Sequence, residues 1–391
     1  MGVTIIADDL TGACDAGALF AGWGPVGVFV APELPGSDLD AAAVDIETRT
    51  LPAAEAAAAM RQVTTAMATR LAGGDVFKKI DSTCRGPIGA ELDALVETGA
   101  ARVALVCPAF PAQGRTVVHG VLSVHGVPAH ETAIGRDPDY PAGATSDLVD
   151  ILGRHSSLSV SLLPLKEVRG SHEELERALR DCRGLVAADA ETDEDLDALA
   201  RAALRLPGIF LAGSAGLARA AAEASGHAAP TPLLPPPGAC LIVAGSRHPA
   251  TRAQIQALEA SGMAGARLEE KREPDLGPIV DAISTGHPAF VASGEFLEGA
   301  RALVAERLAA QVRAVLAEAT PSLLVLTGGE TAVAVMRALG ARRLELDGAP
   351  ASGLALGRLI AGDTPPLPIL TKAGGFGAPD LFVALAKGSA S

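Results

Sequence analysis

Residues 3–17 read VTIIADDLTGACDAG. The apolar and β-branched run Val3–Ala7 has no polar alternation beyond Thr4, the pattern of a strand covered on both faces. It ends on Asp8-Asp9, and Thr11-Gly12 opens a helical pattern that carries Asp15 one turn in. Strand, acidic turn, then helix is the opening of an α/β unit. Acids at the carboxyl end of such a strand face the crevice in which α/β proteins bind ligands. Two acids directly after an apolar strand are costly unless paired or used, which makes Asp8 and Asp9 candidate functional residues. The competing reading is a helix N-cap with a solvated neighbour.

Outward from this stretch the same alternation continues along the chain. Strands are predicted at Val26–Val30, Ala42–Ile46, Asp75–Ile80, Arg102–Cys107, Leu185–Ala188 and Ile209–Ala212, then at Cys240–Ala244, Ala289–Ala292, Leu323–Thr327, Leu344–Leu346 and Leu367–Leu370. Alanine-rich helical patterns separate them, among them 12–22, 53–71, 88–98, 193–205, 214–225, 249–261, 299–318 and 331–339. The fold class is therefore α/β with mainly parallel sheets. The segment 226–238, GHAAPTPLLPPPG, has five prolines in thirteen residues, too stiff to continue a helix or a central strand. It predicts two domains, 1–225 and 239–391, joined by a linker at 226–238, with ligand sites in the cleft between them.

Hydrophobic residues make up 49% of the chain and charged residues 20%, which excludes a disordered chain. The formal charge of −14 repels phosphate backbones and anionic lipids, so neither nucleic acid nor a membrane surface is an expected partner. Five cysteines without a CxxC pair argue against a disulfide framework or a cysteine metal site and fit a reducing cytoplasm. The uncharged run between Asp15 and Glu33 is broken by glycine and proline and is too short to span a bilayer.

Some motifs match only in letters. Gly22–Gly27 fits GxGxxG but follows a helix and leads into a strand, the reverse of a dinucleotide fingerprint. No P-loop occurs, and Ala212 breaks the nucleophile-elbow pattern around Ser214. His119, His125 and His130 lack metal-ligand spacing, so no metal ligand is assigned.

Two groups carry chemistry. In FKKIDSTCRGP, residues 77–87, two lysines, an aspartate, two hydroxyls and an arginine crowd a strand end. Cations of this kind grip a carboxylate or phosphate, and hydroxyls suit sugar oxygens. Arg49 after the third strand and Gln113–Thr116 offer further polar contacts. Beyond the linker, three strands end in small-residue loops, Ala244–Pro249, Thr327–Thr331 and Thr371–Gly377. Glycines there let backbone N–H groups approach phosphate, and helix N-termini add partial positive charge.

With these residues the chain resembles the four-carbon acid sugar kinase family, which includes threonate, erythronate and 3-oxo-tetronate kinases. The likeness runs through IADDLTGACDAG (6–17), KKIDSTCRGPIGAEL (78–92), CPAFPAQGRTVVHG (107–120), GSRHPATRAQI (245–255), LTGGETAVAV (326–335) and TKAGGFGAPD (371–380). The resemblance implies an N-terminal domain that binds the sugar acid and a C-terminal domain that binds ATP. It places Asp8, Asp9, Arg49, Lys79, Asp81 and Arg85 on the acid side, and Ser246, Gly328, Gly329, Glu330, Thr331 and Gly374 on the ATP side. The expected reaction is ATP-dependent phosphorylation of a sugar-acid hydroxyl, with Mg²⁺ bridging the nucleotide oxygens. Asp8 or Asp9 would accept or orient the hydroxyl proton. A kinase for a branched oxo-acid and a non-catalytic sugar-acid sensor are the alternatives, and oligomeric state is left open.

Overall fold

The computed structural model describes residues 2–36, 39–99, 101–136, 145–228, 233–236, 238–270, 272–294, 301–362 and 364–388. The chain forms two compact units, and the division is not a single cut. Residues 2–22 and 31–228 make the first, while residues 23–30 join 233–388 in the second. The strand Val26–Val30, expected within a first domain of 1–225, thus belongs to the later unit.

In chain order the strands are β1 (Val3–Ala7), β2 (Val26–Val30), β3 (Ala41–Asp45), β4 (Asp75–Lys79), β5 (Val103–Cys107), β6 (Arg115–Val118), β7 (Val121–Val124), β8 (Val127–Pro128), β9 (Val160–Leu163), β10 (Gly184–Ala188) and β11 (Ile209–Gly213). Then follow β12 (Cys240–Ala244), β13 (Ala264–Leu268), β14 (Ala289–Ser293), β15 (Leu323–Thr327), β16 (Arg343–Gly348), β17 (Leu354–Ile360) and β18 (Leu367–Lys372).

The first unit is built on a parallel sheet in the order β3-β1-β4-β11-β5-β10-β9. Every residue of β1, β3, β5 and β10 is buried, as expected of strands covered by helices on both faces. The chain leaves β1 to one side for β3, then crosses to the other side for β4. That reversal makes the β1/β4 pair the topological switch point, where open α/β sheets bind ligands. A small antiparallel sheet, β6-β7-β8, stands apart from it. Asp189, fully buried, pins this hairpin by accepting from the N–H groups of His119 and Gly120 at 2.9 and 2.8 Å.

The second unit runs β13-β14-β12-β15-β18-β17-β16-β2. Its first five strands are parallel, and β17, β16 and β2 add antiparallel pairings. The chain passes from β12 to β13 and β14 on one side and then to β15 on the other, so the switch point lies between β12 and β15. A core of Ile242, Ile255, Leu258, Val325, Leu370 and Phe382 packs its sheet against helices.

Strands β9 and β13 went unpredicted because both lie at sheet edges and are largely uncovered, with no continuous apolar run to mark them. The helix His172–Asp181 was missed because it buries only Leu175 and Leu179, yet it carries a Ser171/Glu174 capping box. The helix expected over 299–318 is observed as Arg301–Glu318. Residues 299 and 300, and residues 229–232 and 237 of the proline-rich segment, lie outside the described residues.

Candidate active site

The first cluster occupies the switch point of the first unit. Asp9 caps the helix Leu10–Ala18, accepting from Gly12 N at 2.9 Å and from Thr11 Oγ1 at 2.6 Å. Asp8, buried beside it, takes a bidentate grip from Arg49, Nη2 to Oδ1 at 2.7 Å and Nε to Oδ2 at 2.9 Å. Arg49 Nη2 also donates to Asp9 Oδ1 at 2.8 Å. One carboxylate is thus a cap, as the capping reading expects, but its neighbour is buried and not solvated, and both pair with a guanidinium. Burial would raise the Asp9 carboxyl, but Arg49 and Lys79 outweigh it and hold the group below its usual range. Burial likewise works against the Arg49 charge, and Asp8, Asp9 and Asp81 more than compensate.

Glycine at position 12 is a spatial requirement. A Cβ there would stand 2.6 Å from Asp9 Oδ1 and 3.2 Å from Lys79 Nζ, so the aspartate and the lysine flank the same bare backbone. Lys79 is buried and donates from Nζ to Ile80 O at 2.9 Å.

The second motif arrives beside the first. Gly86 has φ of 94°, and a Cβ there would lie 3.1 Å from Arg49 O, so only glycine lets this turn close on the Arg49 backbone. Asp81, proposed from sequence as a direct ligand contact, has both oxygens engaged. It accepts from Arg85 Nε at 3.0 Å and Nη2 at 2.9 Å, from Thr83 N at 3.1 Å, and from Thr83 Oγ1. Burial would lift its pKa, but Arg85 and then Arg49 hold it well below the usual carboxylate range. Asp81 thus positions Arg85.

Below these groups Lys78, fully buried, pairs with Glu91 at 3.1 Å, and Glu91 also accepts from Thr48 Oγ1. That tie anchors the residue next to Arg49. Burial raises the Glu91 carboxyl despite Lys78.

Two members were underweighted in the sequence. Arg115, carried in by the β6–β7 hairpin, is burdened by burial and interacts electrostatically with Asp81, Arg85 and Asp15. Asp45 ends β3 level with Ala7 of β1. It is fully buried, one oxygen accepts from Glu47 N at 2.9 Å, and its Oδ2 meets no partner among the described residues. Burial and then the neighbouring Asp9 push its carboxyl well above the usual value. Its sequence signal was the one that marked Asp8, an acid closing an apolar strand.

In the second unit the three glycine loops converge at the β12/β15 switch point. A Cβ on Gly245 would overlap Thr331 Oγ1, and one on Gly374 would overlap Ser246 Oγ. Gly375 packs against His248, and Gly328, at φ of 99°, lies against Ser246. Gly328 precedes the helix Gly329–Ala338, whose first turn opens with Gly329, half-buried, and Glu330, exposed, while Thr331 is buried. His248 caps the helix Pro249–Ala260 by accepting from Ala250 N at 3.2 Å through Nδ1. Ser246 also lines a cleft with Ser293 and the cations Arg247, Arg252 and Arg267, of which Arg267 lies outside the sequence motifs. Two helix N-termini and bare glycine backbone around one point form a cradle whose backbone donors and partial positive charge suit an anion.

Among the described residues no group of three or more His, Cys, Asp and Glu side chains could hold a metal. Among the same residues no helix is long and apolar enough to cross a membrane.

Fold and site define a two-unit α/β protein with a guanidinium–carboxylate cluster in one unit and a glycine-loop cradle in the other. A family model described as a sugar-binding N-terminal domain matches residues 3–221, and one described as a nucleotide-binding C-terminal domain matches residues 241–382. The chain is 31% identical to a D-threonate kinase of Salmonella typhimurium, with 96% of each chain covered. It is 34% identical to a 3-oxo-tetronate kinase of Methylobacterium radiotolerans, again over 96% of each. The solved structure of Haemophilus influenzae protein HI1011 shares the fold, with a TM-score of 0.72 at 20% identity over 98% of this chain and 99% of that one. The chain belongs to the four-carbon acid sugar kinase family, a family of phosphotransferases.

Proposed function

We propose that this chain is an ATP-dependent kinase that phosphorylates the terminal hydroxyl of a four-carbon sugar acid of the threonate, erythronate or 3-oxo-tetronate type. The observation that carries the reading is the gathering of Arg49, Lys79, Arg85 and Arg115 around two strand-end aspartates at the β1/β4 switch point. Cations in that number suit a small polyhydroxy carboxylate. Lys79 and Arg85 grip the carboxylate, with Asp81 fixing the Arg85 fork. Asp9, held low and occupied as a cap, orients the acceptor hydroxyl, and Asp8 takes its proton as the oxygen attacks the terminal phosphorus and ADP leaves. Phosphoryl transfer asks for positioning and charge neutralisation more than for a strong base.

The nucleotide lies on the loops at Ser246, Gly328–Thr331 and Gly374, whose bare backbone and helix N-termini face its phosphates. A Mg²⁺ ion arriving with the nucleotide would supply further charge neutralisation there.

The test is ADP release measured over a panel of four- and five-carbon sugar acids with Mg·ATP. Release that depends on one of the four-carbon acids is expected. Binding of acid and ATP with no acid-dependent release across the panel would make this a sensor and sink the reading.

A further inference from the structure

Lys372 closes β18 directly beneath the third glycine loop, and no proposed role uses it. Its side chain is fully buried, among the largest such side chains in the chain. Nζ donates to Ala373 O at 3.0 Å, to Gly374 O at 3.2 Å and to Thr251 Oγ1 at 3.3 Å. Three acceptors match the three N–H bonds of an ammonium. The Phe382 ring lies 5.5 Å from Nζ, and its face favours the same charged form.

The lysine is part of a wider device. Thr251 Oγ1 donates to Gly374 O at 2.7 Å, and Gln254 Nε2 reaches the carbonyls of Phe376, Gly377 and Ala378, each at 3.0 Å. Five carbonyls of this loop, those of Ala373, Gly374, Phe376, Gly377 and Ala378, are thereby drawn down into the protein. The Gly374 and Gly375 N–H groups make no hydrogen bond to any described residue. Gly374 packs against Ser246 and Gly375 against His248 on the cradle side. A loop whose carbonyls are held below presents its N–H groups to an anion above.

Among the described residues, the elements packed on Lys372 bring it no counter-charge. The helix Pro249–Ala260 offers Thr251 and Gln254, the helix Leu381–Ala386 offers Phe382, and the register partners on β15 and β17 are Thr327 and Leu354. His248 is the titratable side chain on the loop beside it. No carboxylate contributes, and burial alone pulls the Lys372 pKa down from 10.5 to about 7.

We propose that Lys372 is a positioning residue of the nucleotide cradle, whose ammonium holds the Ala373–Gly374 carbonyls inward, and that nucleotide binding draws a proton onto it. This inference rests on the nucleotide reading of the glycine loops. A polyphosphate above the loop supplies the missing negative charge and favours the charged lysine. The free protein is then partly neutral at Lys372 near and above neutral pH, and the bound protein is not. By linkage, binding takes up protons and weakens as pH rises.

The experiment is calorimetric titration of the full chain with ADP from pH 7 to 9, in buffers of different ionisation enthalpy. At pH 8 and above the phosphates are fully ionised and unperturbed histidines are neutral, so uptake there reports on neither. A sizeable fraction of a proton taken up per ADP is expected at pH 8–8.5, with affinity falling by up to about tenfold per pH unit. Lys372→Met should bind ADP about tenfold to a hundredfold more weakly and without uptake in that window. Binding by the wild type with no proton uptake overturns the proposal, as does equal uptake by Lys372→Met. If the variant does not fold, the wild-type profile alone decides. Failure of the wild type to bind ADP or ATP at all overturns the nucleotide reading itself, a result distinct from either of those.

Discussion

At the residue scale the first unit's cluster is governed by Arg49, which answers two carboxylates at once. With 15% of its side chain exposed and Asp8 at 1%, the pair is close to a buried one. Removing one partner from a buried pair leaves an uncompensated charge and costs about 3–5 kcal/mol. Arg49→Met should therefore lose stability of that order at pH 7, read by chemical denaturation. The sign with pH follows from Asp9, whose carboxyl is held below its usual 3.8 in the folded chain. Its stabilising contribution is fully present above that value and is lost as pH falls through the lowered one. The gap between wild type and Arg49→Met should narrow as pH drops below about 4. A gap that stays constant from pH 7 to pH 3 would mean that Arg49 does not set the Asp9 charge. The pairing itself was not legible in the sequence, since Arg49 stands forty residues from Asp9. What was legible was that Asp8 and Asp9 had to be paired or used, because they close a strand that β3 and β4 bury.

At the element scale the site is a property of strand ends. The motifs after β1, β12, β15 and β18 stood out because each follows an apolar run, and such runs are what two-sided burial demands; the motif at β4 stood out by its crowded charges, since that strand reads DVFKK. Elements without that signal hid their contribution. Arg115 reaches the cluster only because the β6–β7 hairpin is pinned to Asp189, a long-range tie that no local pattern announces. The glycine loops, by contrast, were readable one by one, while their mutual packing was not. That packing makes Gly374→Ala a sharp probe. The added methyl overlaps Ser246 Oγ, so the Ser246 hydroxyl must turn out of its place, or the 371–377 loop or the 244–249 loop must shift. ADP affinity is expected to fall at least about tenfold, a loss of about 1.4 kcal/mol. Acid binding measured without nucleotide should be unchanged, because its proposed residues all lie in the first unit. Normal ADP binding with lost acid binding would reverse the assignment of ligands to units.

At the scale of the whole molecule, two α/β units were visible from the alternation of runs and from the proline-rich segment at 226–238. The exchange of β2 was not, because an apolar five-residue strand says nothing about which sheet it will join. Strand β2 pairs antiparallel with β16, Leu344 to Val28 and Leu346 to Val26. A fragment of residues 239–391 therefore lacks the strand that covers β16 and presents its unpaired edge to solvent, a template for association. It should aggregate when expressed alone, and a version with residues 23–30 joined through a flexible linker should stay monomeric by light scattering. Equal solubility of the two would show that β2 is dispensable to its unit. The same strand sets a clock on synthesis. β2 leaves the ribosome about 310 residues before its partner β16. At roughly 5–20 residues per second that is a wait of about 15–60 s. Through that interval the nascent chain carries an apolar segment whose β16 partner is not yet made, while β1 and β3 on either side of it already have each other. Chaperone occupancy during translation should accordingly peak on this short stretch near the N-terminus and end only when the last third of the chain has emerged.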